Sequence, residues 1–458
     1  VGTPSEDHER LSFYLLVAGG VVGLIRLSHP VEFGAAYEMF NEAKNLAERG
    51  GFANPFFIAN TGFTAVNPPL YPLALAIMMK LLTVPSLVTL AAATGNIVTN
   101  AIIAACLPRI SFVFYEDVLP GVLAGVLWLA VAQLMPAWDT NYTLAGLILF
   151  CLFSARSIGR THVAAQSGAA AGVAVGLLFL LNPSSALVSL PWIAYLLVRR
   201  KVSFIRAAGY GGVLLASLVL VVSPWALRNR HQLGALVLRT NLGMTLYASN
   251  NDCAESSLME NLRSGCYETH HPNLSMSEAR LLRALGEVEY DRRRTADAES
   301  WVMANPARFR RLTAKRVREF WFPPPDPHPY TAHVVWLATV LAIPGLILMI
   351  QRREPVTVFV VAVQLIYPLM YYLVVTDMRY RYPVIWLSLL PAGYFIRAIS
   401  PIRPEVFAMP PRIMKIHIAP EDVASEDRLT HSKRLSTRLL SIVSRRRHRT
   451  SGSGATEA

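Results

Sequence analysis

Apolar residues along this chain come in runs of about twenty, separated by short polar turns, and about twenty helical residues is the length that crosses a bilayer core. The runs fall at 11–28, 85–107, 118–136, 142–157, 163–182, 184–199, 204–226, 331–351, 355–375 and 383–399. The pattern predicts an all-α polytopic membrane protein with about ten transmembrane helices. A further stretch, 69–83 (PLYPLALAIMMKLLT), is shorter, starts at the Pro68-Pro69 pair and carries Lys80. It reads as an interfacial or re-entrant segment, not a span. Upstream, 35–49 (AAYEMFNEAKNLAER) has helical spacing: Tyr37, Phe40, Ala43 and Ala47 share a stripe, Lys44 and Glu48 lie off it, and Gly50-Gly51 ends it. Such a helix directly after a first span is expected to lie in the membrane interface.

The pattern divides the chain into four parts. Residues 1–226 form an N-terminal transmembrane module with a first outer loop, 29–84. Residues 227–330 form a large loop domain, in which 276–297 and 297–320 are expected as polar helices and Trp321 and Phe322 rest at the interface. Residues 331–399 are the C-terminal transmembrane helices. Residues 400–458 form a basic tail mixing Pro, Ser and Arg, expected to be disordered or to rest on anionic lipids, with a basic amphipathic helix at 431–447.

Composition agrees with this reading. Of 458 residues, 53% are hydrophobic and 16% charged, where a soluble chain carries about a quarter charged; the mean hydropathy is +0.37. The net charge of +13 sits in short turns and in the tail, where the positive-inside rule puts it, so nucleic acid is not an expected partner. With 69–83 not spanning, the basic turns at Arg109, 156–162, 199–201 and 351–354 share one side with the tail. Both termini are then cytoplasmic. The acidic, polar residues 1–10 do not resemble a cleavable signal, so the first run is read as a retained span.

The opposite, extracytoplasmic side receives 29–84, 137–141, 227–330 and 376–382. Arg228, Arg230, His231, Arg379 and Arg381 lie there, against the rule, which points to an anionic partner. On the same side, Glu32 and Glu38 flank the start of the interfacial helix, and Asp139 follows Trp138 in a short turn. Carboxylates near a helix N-terminus and an N-cap Asp are the ordinary explanations of these acids. Together with the arginines they also suit a reaction in which a carboxylate takes a hydroxyl proton and guanidinium forks hold a phosphate leaving group. No P-loop or glycine-rich fingerprint for a soluble nucleotide is found in the sequence. Cys106 and Cys151 lie in apolar runs as packing residues; Cys253 and Cys266 share the large loop, as a disulfide or as two thiols. His270 and His271 are too few for a metal centre and are read as structural. A transporter or flippase of lipid-linked substrates, or a non-catalytic scaffold, are the competing classes.

Four blocks carry a resemblance: "YEMFNEAKNLAERGGFANPF" with "TGFTAVNPPLYPLALA", "SPWALRNRHQLGALVLRTNLGMTLYASNN", "AESWVMANPARFRRLTAKRVREFWF" and "RYRYPVIWLSLLPA". In this order, over 10–398, they resemble bacterial membrane glycosyltransferases of the GT-C superfamily, relatives of protein O-mannosyltransferases and of the aminoarabinose transferases that modify lipid A. The resemblance implies a GT-C fold and an inverting enzyme in the cytoplasmic (inner) membrane. It would move a sugar from a polyprenyl-phosphate donor to an acceptor at the extracytoplasmic face. It implies no certain cofactor, with a divalent metal ion left open. The family's base is an Asp, often Asp-Glu, before the interfacial helix; here Gly34, Ala35 and Ala36 stand there, leaving Glu38 nearest and Glu32 as the alternative. Asp139 matches the acid of the second outer turn. Arg379 and Arg228, with Arg381 behind them, match positions for the lipid phosphate. Tyr37, Tyr71, Asn250 and His271 complete the expected substrate contacts.

Overall fold

Every expected apolar run coincides with a helix. A computed structural model of the protein describes residues 6–27, 37–135, 138–158 and 165–400. The chain begins with α1 (Glu6–Leu27), followed by two short helices, α2 (Glu38–Arg49) and α3 (Leu70–Leu81). Then come α4 (Pro85–Tyr115), α5 (Leu119–Val131), α6 (Thr140–Ser157), α7 (Ala165–Leu181), α8 (Ala186–Arg199) and α9 (Phe204–Leu233). The large loop folds into α10 (Leu242–Ser249), α11 (Leu258–Arg263), α12 (Cys266–His270), α13 (Met276–Leu285), α14 (Glu287–Ala304) and α15 (Pro306–Trp321). Finally α16 (Pro329–Gln351), α17 (Thr357–Ile366) and α18 (Tyr382–Ile399) return to apolar sequence. The fold is all-α. Among the described residues, five segments, within α1, α4, α9, α16 and the stretch 378–399, are long and apolar enough to cross a membrane. At 12 residues, α3 is shorter than the length that crosses a bilayer core, as are α5 at 13 and α17 at 10. The tail, with its expected helix at 431–447, lies outside the described residues.

Helix directions alternate as a multi-pass chain requires. Against α4, Gly19 of α1 faces Ala101 and Gly23 faces Ile97, an antiparallel register. Against α9, Gly168, Gly172 and Gly176 of α7 face Tyr210, Leu214 and Val221, a parallel one. Small residues let membrane helices approach this closely, since between lipid-solvated helices packing has to supply the attraction. A Cβ on Gly172 would stand 2.2 Å from the Leu214 carbonyl oxygen. Gly172→Val is therefore expected to cost about 1–3 kcal/mol and to lower the thermal unfolding midpoint in detergent, whereas the same change at Gly209, which meets nothing within 4 Å, is not. The core is aromatic at its centre: Trp128, Trp192 and Trp386 are fully buried, and Phe114 lies 5.5 Å from Trp192 and 5.9 Å from Trp386.

The two ends of the bundle differ in chemistry. At one end, Arg397 pairs with Asp117 at 3.3 Å, Tyr394 donates to Glu354 at 2.8 Å, and Arg200 donates to the Ala155 carbonyl at 3.2 Å. Arg109 belongs inside α4, not in the turn after it; that turn is 116–118, where Glu116 adopts φ 58°. At the other end, α2 packs on α3 with Trp138 beside them, Asn182 donates to Asp139 at 2.8 Å, and Arg379 lies over Trp138. Three helices, not two, cover 276–321, because Gly286 (φ 78°) and the Asn305-Pro306 pair interrupt the polar pattern. The backbone amide of Thr376 donates to the Ser256 carbonyl at 2.7 Å, tying the loop domain to the last turn.

Candidate functional site

The site is assembled from loops at that second end. In α2, the buried residues are Met39, Asn41, Glu42 and Ala43, so the inward stripe includes a carboxylate and is rotated from the Tyr37–Phe40 face suggested by spacing. The reason is tertiary. Met39 and Ala43 pack on Tyr71, Leu75 and Ala76 of α3 and on Ala92 of α4, and Glu42 comes with them. Gly50 closes α2 in the left-handed region (φ 75°), as expected of Gly50-Gly51. Asn67 donates to Glu42 Oε1 at 3.0 Å. Burial pushes the Glu42 carboxyl well above the ordinary range, and the nearby carboxylates of Glu287 and Glu38 push the same way.

Glu38 stands at the first position of α2, half-buried. Burial raises its pKa, opposed by its own helix backbone and by Arg379 and Arg239. Glu32 lies outside the described residues. Asp139 precedes α6 but does not cap it through its side chain. Its Oδ2 instead accepts from Asn182 Nδ2 at 2.8 Å and Thr143 Oγ1 at 3.1 Å. Only 5% exposed, it too is raised by burial, against those hydrogen bonds and Arg239.

Arg239 is the residue that the sequence did not single out. Its Nε donates to the Val66 carbonyl at 2.8 Å, which anchors it to the first outer loop. The residue stays exposed to solvent. Protein nevertheless surrounds it closely enough that desolvation lowers its pKa, against the pull of Asp139, Tyr371, Tyr380 and Glu42. Opposite, the Arg379 guanidinium lies flat over the Trp138 ring, 3.7 Å from its centroid. An aromatic face so close favours the cation by about 0.5–2 kcal/mol. Tyr37 meets the same indole edge-on at 5.5 Å. Asp377 accepts from the Arg379 backbone amide at 2.9 Å and pairs with its Nε at 3.7 Å, too far for a hydrogen bond, so that Nε is a buried donor without a hydrogen-bond partner among the described residues.

The geometry thus brings together Glu38, Asp139, Arg379 and Tyr37, and adds Glu42 and Arg239. The other expected residues have structural partners of their own. Arg228 donates to the Thr64 carbonyl at 2.7 Å and the Phe52 carbonyl at 2.8 Å and lies over the Trp225 ring, clamping the first outer loop. Arg381 is 2% exposed and donates to the Trp321 carbonyl at 2.7 Å and Ser388 Oγ at 3.1 Å. Asn250 accepts from Arg316 at 3.1 Å and donates to the Leu373 carbonyl at 3.0 Å. Tyr71 packs on Tyr142 at 5.3 Å. His271 stacks on Tyr267 at 4.3 Å and accepts from the Asn273 amide; burial pulls its pKa down to about 3, so it is neutral. Tyr267 feels the charges of Glu38 and Arg379, which puts this stack beside the cluster.

Cys253 and Cys266 form a disulfide, with Cα atoms 5.6 Å apart. Together with His270 they are the one group of metal-ligand residues found among the described residues, their ligand atoms within 4.8 Å of one another. With both sulfurs bonded to each other, only the His270 ring remains to offer a lone pair.

A buried carboxylate sets the position of this end. Glu287, first residue of α14, accepts from the Ala65 amide at 2.6 Å and from Thr240 Oγ1, joining the first outer loop to the residue after Arg239. Burial raises it from 4.5 to about 7. A raised acid favours its protonated form in the fold, so its contribution is complete below the unfolded pKa and is lost as pH rises through about 7. Glu287→Gln, which keeps an acceptor, is expected to unfold later than the parent at pH 8, by up to about 3 kcal/mol, and to match it at pH 4. Thermal unfolding at the two pH values checks this.

No family model matches the sequence, and no curated protein does. Among solved structures, the chain is similar to an archaeal oligosaccharyltransferase, AglB from Archaeoglobus fulgidus, in complex with an inhibitory peptide and a dolichol-phosphate. The identity is 11% and the TM-score 0.48 over 84% of this chain and 50% of that one. A complex of the A. fulgidus oligosaccharyltransferase with Zn and sulfate gives 11% identity and a TM-score of 0.49, covering 84% of this chain and 49% of that one. The chain spans about half the length of these structures.

Proposed function

We propose that this protein is a glycosyltransferase of the GT-C type. It transfers a sugar from a polyprenyl-phosphate donor to an acceptor hydroxyl at the extracytoplasmic face of the cytoplasmic membrane. The observation that carries the reading is the pair of arginines, Arg239 and Arg379, set among the carboxylates Glu38, Glu42 and Asp139 at one end of an apolar helix bundle.

Each part has a task in such a reaction. The acceptor oxygen attacks the anomeric carbon while the bond from that carbon to the phosphate oxygen breaks. Charge builds on the departing phosphate, and Arg239, exposed and already fixed to Val66, meets it with Arg379. Held guanidinium groups stabilise such charge without having to reorganise. Glu38 takes the acceptor proton. It is half-buried and close enough to both arginines to feel them, and its raised pKa makes it a stronger base than a surface glutamate. Glu42, deeper and bonded to Asn67, and Asp139, held by Asn182 and Thr143, orient the arginines. The Tyr267–His271 stack offers an aromatic wall for a sugar ring.

Binding of the spent carrier tests the reading independently of the sugar. Purified protein in lipid nanodiscs, titrated with polyprenyl phosphate, is expected to bind saturably, and Arg239→Ala or Arg379→Ala to weaken binding about tenfold or more. Equal binding by wild type and both variants contradicts it.

A further inference from the structure

Where α15 hands over to α16, the chain leaves a cavity of about 420 Å³, lined by none of the residues of the carboxylate–arginine cluster. Phe322, Trp336 and two prolines form its apolar wall, and Lys315, Arg318, Glu260 and Glu319 its polar one. Trp336 is held by donating to the Pro323 carbonyl at 2.8 Å. It lies in the first half of α16, one of the helices long and apolar enough to cross a membrane, so the cavity opens at the level where interfacial tryptophans sit. Below it, Leu337, Val340, Ile343 and Ile347 are exposed at helical spacing, an apolar track leading away from the cavity.

Charge in the cavity is balanced and unevenly committed. Lys315 Nζ lies 2.9 Å from both Glu260 carboxylate oxygens. Glu319 is buried, accepting from Ser256 at 2.9 Å and Thr376 at 3.0 Å. Arg318 meets Glu319 at 3.8 Å, beyond hydrogen-bond reach, and its side chain is 68% exposed. Its guanidinium fork suits a phosphodiester. A ligand bringing only negative charge would also meet two carboxylates. One that also carries a cation brings a partner for the Glu260 carboxylate and for the Trp336 ring, which line the same cavity.

We infer that this cavity is a seat for a zwitterionic phospholipid of the outer leaflet, its phosphate on Arg318, its ammonium between Glu260 and Trp336, and an acyl chain along the exposed track of α16. Glu319, the inner wall, holds Thr376 next to Asp377, so the seat lies behind the turn that carries Arg379.

Native mass spectrometry of the full-length protein tests it, after equilibration in detergent with equal amounts of phosphatidylethanolamine and phosphatidylglycerol of the same chain length. One phosphatidylethanolamine is expected to be retained, with about tenfold preference. Arg318→Ala should lose it, and Arg310→Ala, exposed on the same helix, should keep it. Equal retention of phosphatidylglycerol, or full retention by Arg318→Ala, overturns the inference. Should Arg318→Ala not fold, wild-type protein photolabelled with a diazirine-bearing phosphatidylethanolamine decides: label on Phe322 or Trp336 peptides supports the seat and label elsewhere only refutes it. In that assay, inorganic phosphate protecting as well as phosphoethanolamine would make the site a phosphate site, and also overturns the inference.

Discussion

Replacing Arg239 with alanine is expected to lower donor turnover by about 10²–10³-fold, the loss seen when one preorganised donor to a developing oxyanion is removed, with little change in thermal unfolding. The two halves of that expectation have separate grounds. Arg239 is exposed and gives the fold a single described side-chain bond, to Val66, so its removal costs little packing. Its field, by contrast, reaches Asp139, Glu42, Glu38 and two tyrosines, so any phosphate held among them loses its nearest accessible cation. Arg228 gives the converse result. It satisfies the Thr64 and Phe52 carbonyls, and Arg228→Ala is expected to lower stability by about 1–3 kcal/mol while turnover per folded molecule is kept. Turnover and unfolding measured on the same preparations separate the two arginines. An Arg228 variant that is stable but inactive would exchange their roles.

Glu38→Gln is expected to reduce the transfer rate by about 10²–10⁴-fold, the usual contribution of a positioned general base. Because burial raises Glu38 above the ordinary carboxylate value, the wild-type rate should rise with pH through that elevated pKa as the carboxylate loses its proton, and this rising limb should vanish in the glutamine variant. Glu42→Gln retains an acceptor for Asn67 and should keep the limb. Were the limb to persist in Glu38→Gln and disappear in Glu42→Gln, the base would be Glu42. The pH profile distinguishes them where a drop in rate alone does not.

Helices and their directions were legible because membrane spans announce themselves through length and hydropathy, and α3 and the Gly50 stop followed from equally local signals. The partners that a side chain takes are not written in the local pattern. Spacing put Tyr37, Phe40, Ala43 and Ala47 on one stripe of α2, and docking on α3 and α4 turned Glu42 inward as well. Arg228 was a candidate phosphate ligand because it follows an apolar run against the positive-inside rule; in the fold its guanidinium donates to the Thr64 and Phe52 carbonyls, over 160 residues earlier in the chain. Arg239 lies within the block that begins SPWALRNRHQLG, but nothing local marks it out from the arginines around it, and it gains its place from the Val66 carbonyl that fixes it. Arg379 was visible as a charge in the wrong place for the positive-inside rule, yet its stacking on Trp138 joins two turns more than 200 residues apart.

The most direct measurement of the central claim is transfer itself. Purified full-length protein in lipid is incubated with a panel of radiolabelled polyprenyl-phosphate sugars and membrane-extract acceptors, with the Arg239→Ala and Glu38→Gln proteins alongside. The account predicts transfer or slow hydrolysis from at least one donor, dependent on both residues. Binding and turnover absent with every donor, or activity unchanged in both variants, would contradict it.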